Sequence, residues 1–375
     1  MNKKLLIAAL AAANVLSIGT GVTLTAVGSS LAKSQSYNYA AQRWDSEKGC
    51  TQLSCFFTDD AAYSVQSLPY IKQSITDKLK NVGVIAEEGQ TLIPEAYSRN
   101  AGQMTVTCDR TGRSEAMVTA TGGDFFLFRD FKLLDGAFYT ESDIMQDGAV
   151  IDRMLAWELY GSEDIAGMSL YLNGIKFYIS GVIDTPQTKQ EKKTAGDMPR
   201  VYISYEGYKL LNGGYSEGYD SPTSTLTCYE CVVPDPVENF AYNALNDQLG
   251  GSYNTSIAIV NNTERFDSSK LAKKYKNLSD YAISDKPLIY PYWENASRIT
   301  EFRLTGIYHF RKLTYIIPVL TSLLLIVLGW RAGGRLRKKI TENFSNSVTK
   351  FFYRRSILKE QKKETKNNMN YKEKK

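Results

Sequence analysis

Histidine is nearly missing from this chain: its 375 residues contain one, His309. A hydrolytic triad needs an imidazole base beside its nucleophile. The G-x-S-x-G match at Gly214 to Gly218, centred on Ser216, therefore reads as a surface loop rich in Gly, Ser and Tyr and not as a nucleophile elbow. No G-x-x-x-x-G-K-[ST] loop is present to cradle phosphates, so the chain does not hydrolyse ATP itself. Cysteine is scarce, with five residues at Cys50, Cys55, Cys108, Cys228 and Cys231 and no histidine among them, which argues against zinc. The acid pairs Asp59/Asp60 and Glu87/Glu88 lack metal-loop spacing and read as solvated turns or helix starts. No catalytic residue, metal or cofactor is expected.

Charge is absent from residues 5–32, a run of 28 positions that follows Lys3 and Lys4. This is the pattern of an N-terminal signal anchor with its basic end in the cytoplasm. Ser30-Leu31-Ala32 also offers the small residues a signal peptidase accepts, so removal of the segment stays open. A second run, Leu313 to Trp330, is 18 residues long, roughly 27 Å as helix. Tyr315 and Trp330 bracket it as interface anchors. Beyond it, residues 331–375 carry 15 Lys/Arg against 4 Asp/Glu, a net +11. Removing that tail and Lys3/Lys4 leaves 28 basic and 36 acidic residues, a net −8, so the overall +5 hides two opposite parts. The positive-inside rule places both ends in the cytoplasm and one long loop outside. A basic tail just inside a span is a topology signal and lipid contact, not a nucleic-acid site. Ile340, Phe344, Val348, Phe351 and Phe352 share one face of its first part, which lies on the inner leaflet or docks on an ATPase.

The loop reads as an α+β domain. Cys50 to Phe57 is a strand, and Leu68, Ile71, Ile75, Leu79 and Val82 recur at helical spacing after it. The same order returns at 225–234 (strand), 235–251 (helix, capped by Asp235 or a neighbour) and 255–262 (strand). Two such halves fit one split βαβ, ferredoxin-like layer, with a β-rich lobe inserted at about 92–205. Ile299, Phe302, Ile307 and Phe310 mark a stalk helix running into the second span. "CYEC" lies in a strand, where residues three apart face opposite ways. A bridge across strands, from Cys50 or Cys55 to Cys228 or Cys231, is the disulfide this arrangement favours, with connectivity open.

Residues 122–143 are dense in aromatics but broken by Asp124, Arg129, Asp130 and Lys132, which excludes a span. Phe131 and Phe138 read as interior; Phe125, Phe126 and Phe128 are left between core and working surface. Phe131, Leu133, Gly136, Phe138 and Asp143 are followed by the helix end Ala156, Leu159, Tyr160, Gly161. Then come the hairpin Gly167, Leu170, Leu172, Gly174 and a last strand with Phe177, Ile179, Gly181, Val182. That order resembles the periplasmic core domain of MacB-type ABC-transporter permeases. With "YPYWENASR" (Tyr290 to Arg298), most of the chain is also similar to two-span bacterial proteins described as ABC-transporter permeases. A complete MacB-type permease has two further spans after its second, and some carry a nucleotide-binding domain; neither is found in this sequence.

The resemblance implies an outer domain that receives or transmits movement from an ABC ATPase on another chain. In such complexes that movement propels peptides, lipopeptides or lipoproteins outside the membrane. Its expected partners are that ATPase, another permease subunit, membrane lipid and a second copy of itself, with no nucleic acid. The expected plan is residues 1–4 inside, 5–32 the first span, 33–312 the outer domain, 313–330 the second span and 331–375 the inner tail. The rival is an anchored binding or sensor module with no transport partner, meeting a peptide or envelope polymer through a loop bearing Tyr205, Tyr208, Tyr215 and Tyr219.

Overall fold

A computed structural model of the chain describes residues 3–45, 49–61, 63–213, 225–250, 256–274 and 289–372. It divides into two compact units, Met1–Thr25 with His309–Lys375, and Ala26–Tyr308. In chain order the elements are α1 (Lys3–Lys33), α2 (Ala40–Trp44), β1 (Cys50–Phe57), α3 (Leu68–Asn81), β2 (Glu95–Cys108), β3 (Arg113–Gly123), α4 (Phe125–Phe128), β4 (Leu133–Gly136), β5 (Gly148–Asp152), α5 (Arg153–Tyr160), β6 (Ser169–Leu172), β7 (Ile175–Ile183), α6 (Lys189–Ala195), β8 (Arg200–Ser204), α7 (Tyr205–Leu211), β9 (Cys228–Pro234), α8 (Phe240–Gln248), β10 (Ile257–Asn261), α9 (Ser268–Lys274) and α10 (Tyr292–Lys372).

In the unit that holds both chain ends, α1 lies along α10 through small and polar residues. Ser17 Oγ donates to the Thr314 carbonyl at 2.7 Å, and Asn14 meets Thr321. A Cβ on Gly21 would stand 2.8 Å from Thr314 Oγ1, so the missing side chain is what lets the helices approach. The outward faces carry exposed leucines and isoleucines such as Leu16, Ile18, Leu320 and Leu324. By length and composition α1 and α10 are each apolar enough to cross a membrane.

The second unit is built on a single sheet in the order β10-β1-β9-β2-β3-β8-β5-β7-β4, with β6 joining β2 and β7. β9 lies between β1 and β2 and is antiparallel to both, while β3 with β8 and β5 with β7 run parallel. Alternation sorts the side chains. Leu53, Cys55 and Phe57 of β1 and Tyr229, Cys231 and Val233 of β9 enter the main core with Leu68, Ile71, Ile75 and Leu79 of α3 and Leu245 of α8. Burying those four α3 side chains stabilises the layer by roughly 6–12 kcal/mol before entropy is counted.

Local rules account for the element ends. Pro69 sits in the first turn of α3, where no amide is missed. Asp152 caps α5 by accepting from Leu155 N–H at 2.9 Å, and Thr188 with Glu191 closes a capping box on α6. The helix after β9 starts at Phe240, later than its polar lead-in suggests, because Asn239 takes φ +65 and Asp235 Oδ1 caps Ala241 N–H at 3.1 Å. The motif glycine Gly136 also has a physical cause. It has φ +72, and a Cβ there would lie 2.2 Å from the Ser180 carbonyl of β7, so no other residue fits.

Candidate functional site

The opposite face of the sheet carries polar side chains that no exposed surface requires. Gln52 and Ser54 of β1 and Glu230 of β9 are buried, and they point to where α2, α4 and the start of α10 dock. Gln52 ties down the segment after α1: its Nε2 donates to the Tyr37 carbonyl at 2.7 Å and its Oε1 accepts from Ala40 N–H at 2.8 Å. Ser54 Oγ donates to Glu230 Oε1 at 2.8 Å and accepts from Asn262 Nδ2 at 2.7 Å.

Two arginines complete the junction. Arg265, just after β10, is buried and spreads its guanidinium across the first turns of α10. Its Nη1 and Nη2 grip Glu294 at 2.6 and 2.7 Å, and its Nε reaches Glu301 at 2.6 Å. Nη1 also reaches Asn262 at 3.1 Å and Asn38 at 3.3 Å, and Asn38 in turn donates to Ser297 at 2.8 Å. Burial pulls this guanidinium down, but the two carboxylates outweigh it and hold the group above its usual range. Arg129 follows the aromatic stretch and forms a buried ion pair with Glu230. Its guanidinium lies 4.2 Å from the Trp293 ring centroid and 5.0 Å from that of Phe125. Burial and Glu230 oppose each other there as well, and the charge is again retained.

The arrangement is chemically a clamp. Each charge has a counter-charge and is excluded from water, which fixes one geometry and penalises every other. Trp293 Nε1 and Arg129 Nε have no hydrogen-bond partner among the described residues. The stalk residues Ile299, Phe302, Ile307 and Phe310 lie on α10, with Phe302 and Phe310 exposed and the buried face made of Tyr292, Trp293, Ala296, Ser297, Glu301 and Leu304. It also sorts the aromatics. Phe125 and Phe128 form the deep floor beneath Trp293, whereas Phe131 and Phe138 are only partly buried around them.

Other expected residues fall elsewhere. The register sets Cys50 against Pro234, Cys55 against Tyr229, Cys231 against Leu53 and Cys228 against Phe56, and the thiols of Cys55, Cys108, Cys228 and Cys231 are free. Cys55 and Cys231 share the α3 face one step apart, and burial, with each other's proximity in the case of Cys55, pushes both thiols up. Tyr205 and Tyr208 are buried, which removes them from an exposed tyrosine loop; Tyr215, Tyr219 and the Gly214–Gly218 motif lie outside the described residues. Among the described residues no group of three His, Cys, Asp or Glu is placed to hold a metal. His309 is exposed on α10.

Residues 5–229 match the MacB-like periplasmic core domain, and the chain belongs to that family. Over 137 residues, 36% of this chain and 20% of the other, it is 26% identical to the macrolide export ATP-binding/permease protein MacB of Pasteurella multocida (strain Pm70), so the match spans about a fifth of that relative. It is similar to the periplasmic region of MacB from Actinobacillus actinomycetemcomitans, at 16% identity and a TM-score of 0.39, covering 60% of this chain and 94% of the other. The extracellular domain of the noncanonic ABC-type transporter YknZ from Gram-positive bacteria matches at 14% identity and a TM-score of 0.34, covering 56% and 100%. The family is one of ABC-transporter permeases, membrane proteins with an extracytoplasmic domain.

Proposed function

We propose that this chain is a non-catalytic, permease-like subunit of an ABC-type export or mechanotransmission complex. Its outer domain is coupled to an ATPase on another chain. The observation that carries this reading is the buried clamp of Arg265 on Glu294 and Glu301, which makes the start of α10 part of the domain's interior. The paired buried charges favour one geometry for the first turns of α10, residues 294–301, within the sheet unit.

The reading includes two membrane passes, at about 5–32 and 313–330, with both ends in the cytoplasm, supported by the +11 tail and the uncharged runs. It includes an outer domain at 33–312 whose β10-β1-β9-β2 order, with α3 and α8 as crossovers, supports a split ferredoxin-like layer continued by the inserted strands. Lipid contact by the basic tail, a second permease subunit and self-association belong to it too. A β1–β9 disulfide enters only as Cys55 with Cys231, thiols that are free in this structure. Mass mapping under non-reducing conditions that finds all five thiols unbridged removes it.

The test is affinity purification of the full chain in mild detergent with mass spectrometry of what accompanies it. An ABC ATPase in the eluate is the expected result. Recovery of the chain as a lone homo-oligomer, with export unchanged on deletion, would overturn the proposal in favour of a stand-alone sensor.

A further inference from the structure

Beside the junction, and using none of its charged residues, the sheet unit opens a cleft of 480 Å³ between the β2–β3 hairpin, the loop at 139–146 and the start of α7. Its floor is aromatic. Tyr97 lies across Gly122, its cross-strand neighbour, where a Cβ would come 2.2 Å from the ring, and it packs on Tyr205 with centroids 5.2 Å apart. Phe126 forms the facing wall, stacked on Phe138 at 4.5 Å. The rim is acidic, and the lining includes no lysine, arginine or histidine. Glu141 is held in place by Tyr97 OH at 2.7 Å and by the Gly123 amide. Asp143 accepts from Thr140 N–H at 3.1 Å. The third acid, Glu206, is already paired with Lys209.

The rim loop is built to present something. Gln146 takes φ +51, uncommon for a residue with a side chain. Its Nε2 compensates by donating to the carbonyls of Thr140, Glu141 and Asp143 at 3.2, 3.1 and 2.6 Å. Ser204 Oγ fixes its own carbonyl at 2.7 Å. The loop so braced leaves Ile144 96% and Met145 73% exposed at its tip. Two bulky apolar side chains in water on a tightly bonded loop, beside an aromatic floor and two acids in a cleft whose described lining holds no basic side chain, are complementary to one kind of partner.

We infer that the cleft bounded by Tyr97, Phe126, Glu141, Asp143 and Ile144 binds a basic polypeptide segment in which arginine or lysine alternates with apolar or aromatic residues. The cation pairs with Glu141 and Asp143 beside the Tyr97 hydroxyl, and the apolar side chain packs between Phe126 and the Ile144–Met145 tip. This rests on the cleft and not on coupling to an ATPase. Loss of peptide binding with an ATPase still co-purifying, or the reverse, separates the two readings.

The experiment uses the full chain in detergent and fluorescence anisotropy of labelled Arg-Trp-Arg-Leu amide, with Gln-Trp-Gln-Leu and Glu-Trp-Glu-Leu amides as comparisons. Saturable binding of the arginine peptide, weaker binding of the glutamine peptide and none of the glutamate peptide are expected. Glu141→Gln with Asp143→Asn, which keeps the Tyr97 and Thr140 hydrogen bonds, lowers affinity about tenfold or more, the loss of roughly one charge-assisted contact. Ile144→Ser with Met145→Ser lowers it without altering the preference for arginine. Glu87→Gln with Glu88→Gln, exposed acids away from the cleft, leaves it unchanged. Equal binding of the glutamate peptide, full affinity in the Glu141/Asp143 variant, or displacement of the probe by rising concentrations of the protein itself, which marks a second copy as the occupant, would each overturn the inference.

Discussion

Arg265 is the residue on which the junction depends most. Arg265→Met takes away the guanidinium that bridges the buried Glu294 and Glu301, leaving Arg298 on Glu294, and the unfolding free energy falls by about 3–5 kcal/mol. Replacing all three by apolar residues of similar volume recovers most of that loss, because the cost lies in burying two carboxylates without the guanidinium between them. Chemical denaturation of the full chain in detergent measures both variants. Asp152 is the second diagnostic residue. Burial pushes its carboxyl up to about 7, against the pull of the Leu155 amide. That value lies above an unfolded value near 3.9, so the native state holds the proton more tightly. The resulting stability is present below about pH 4 and is lost as pH rises to about 7, by at most about 4 kcal/mol. Asp152→Asn flattens that slope in a series of unfolding curves, whatever its effect on absolute stability. Cys55, Cys228 and Cys231, buried and with thiols pushed up, stay unlabelled by maleimide at pH 8 until the chain is denatured. None of these roles was legible residue by residue. Arg265 lies 227 positions from Asn38 and 36 from Glu301, and nothing in a one-dimensional pattern couples them.

At the scale of elements, periodicity served where one face is apolar and failed where the buried face is polar. The α3 stripe of Leu68, Ile71, Ile75 and Leu79 is read directly, as is β1, because water sorts those side chains by hydrophobicity alone. In α10 the spacing marks the helix but not its buried face. Phe302 and Phe310 stand out as apolar yet are exposed, while Ser297, Thr300 and Glu301 are inside, where hydrogen bonds and an arginine replace hydration. β2 shows no simple alternation along its length. Its first half carries Ser98, Arg99 and Asn100 and then a bulge at Asn100/Gly102, where the Asn100 side chain accepts from Gly102 N–H at 2.9 Å. For the α1–α10 pairing the informative residues are the small ones. Gly21→Leu forces a side chain against Thr314, and bifunctional-thiol cross-linking between Ser17→Cys and Thr314→Cys falls several-fold in that background. Unchanged cross-linking would show that the small-residue seam does not set the approach.

For the whole molecule, the basic tail and the uncharged run at 313–330 fall in the unit of Met1–Thr25 with His309–Lys375. The family match over residues 5–229 reflects a core order that the 131–182 motif already carried. What the chain does follows from whether the start of α10 is part of the domain or merely attached to it. Hydrogen exchange of the full chain in detergent, followed by peptide-resolved mass spectrometry, decides this. Amides of residues 292–308 are expected to exchange as slowly as those of β1 and β9, and to lose that protection selectively in Arg265→Met. Fast exchange across 292–308 in the wild type, with β1 and β9 protected, would contradict a rigid junction and the transmitting role derived from it.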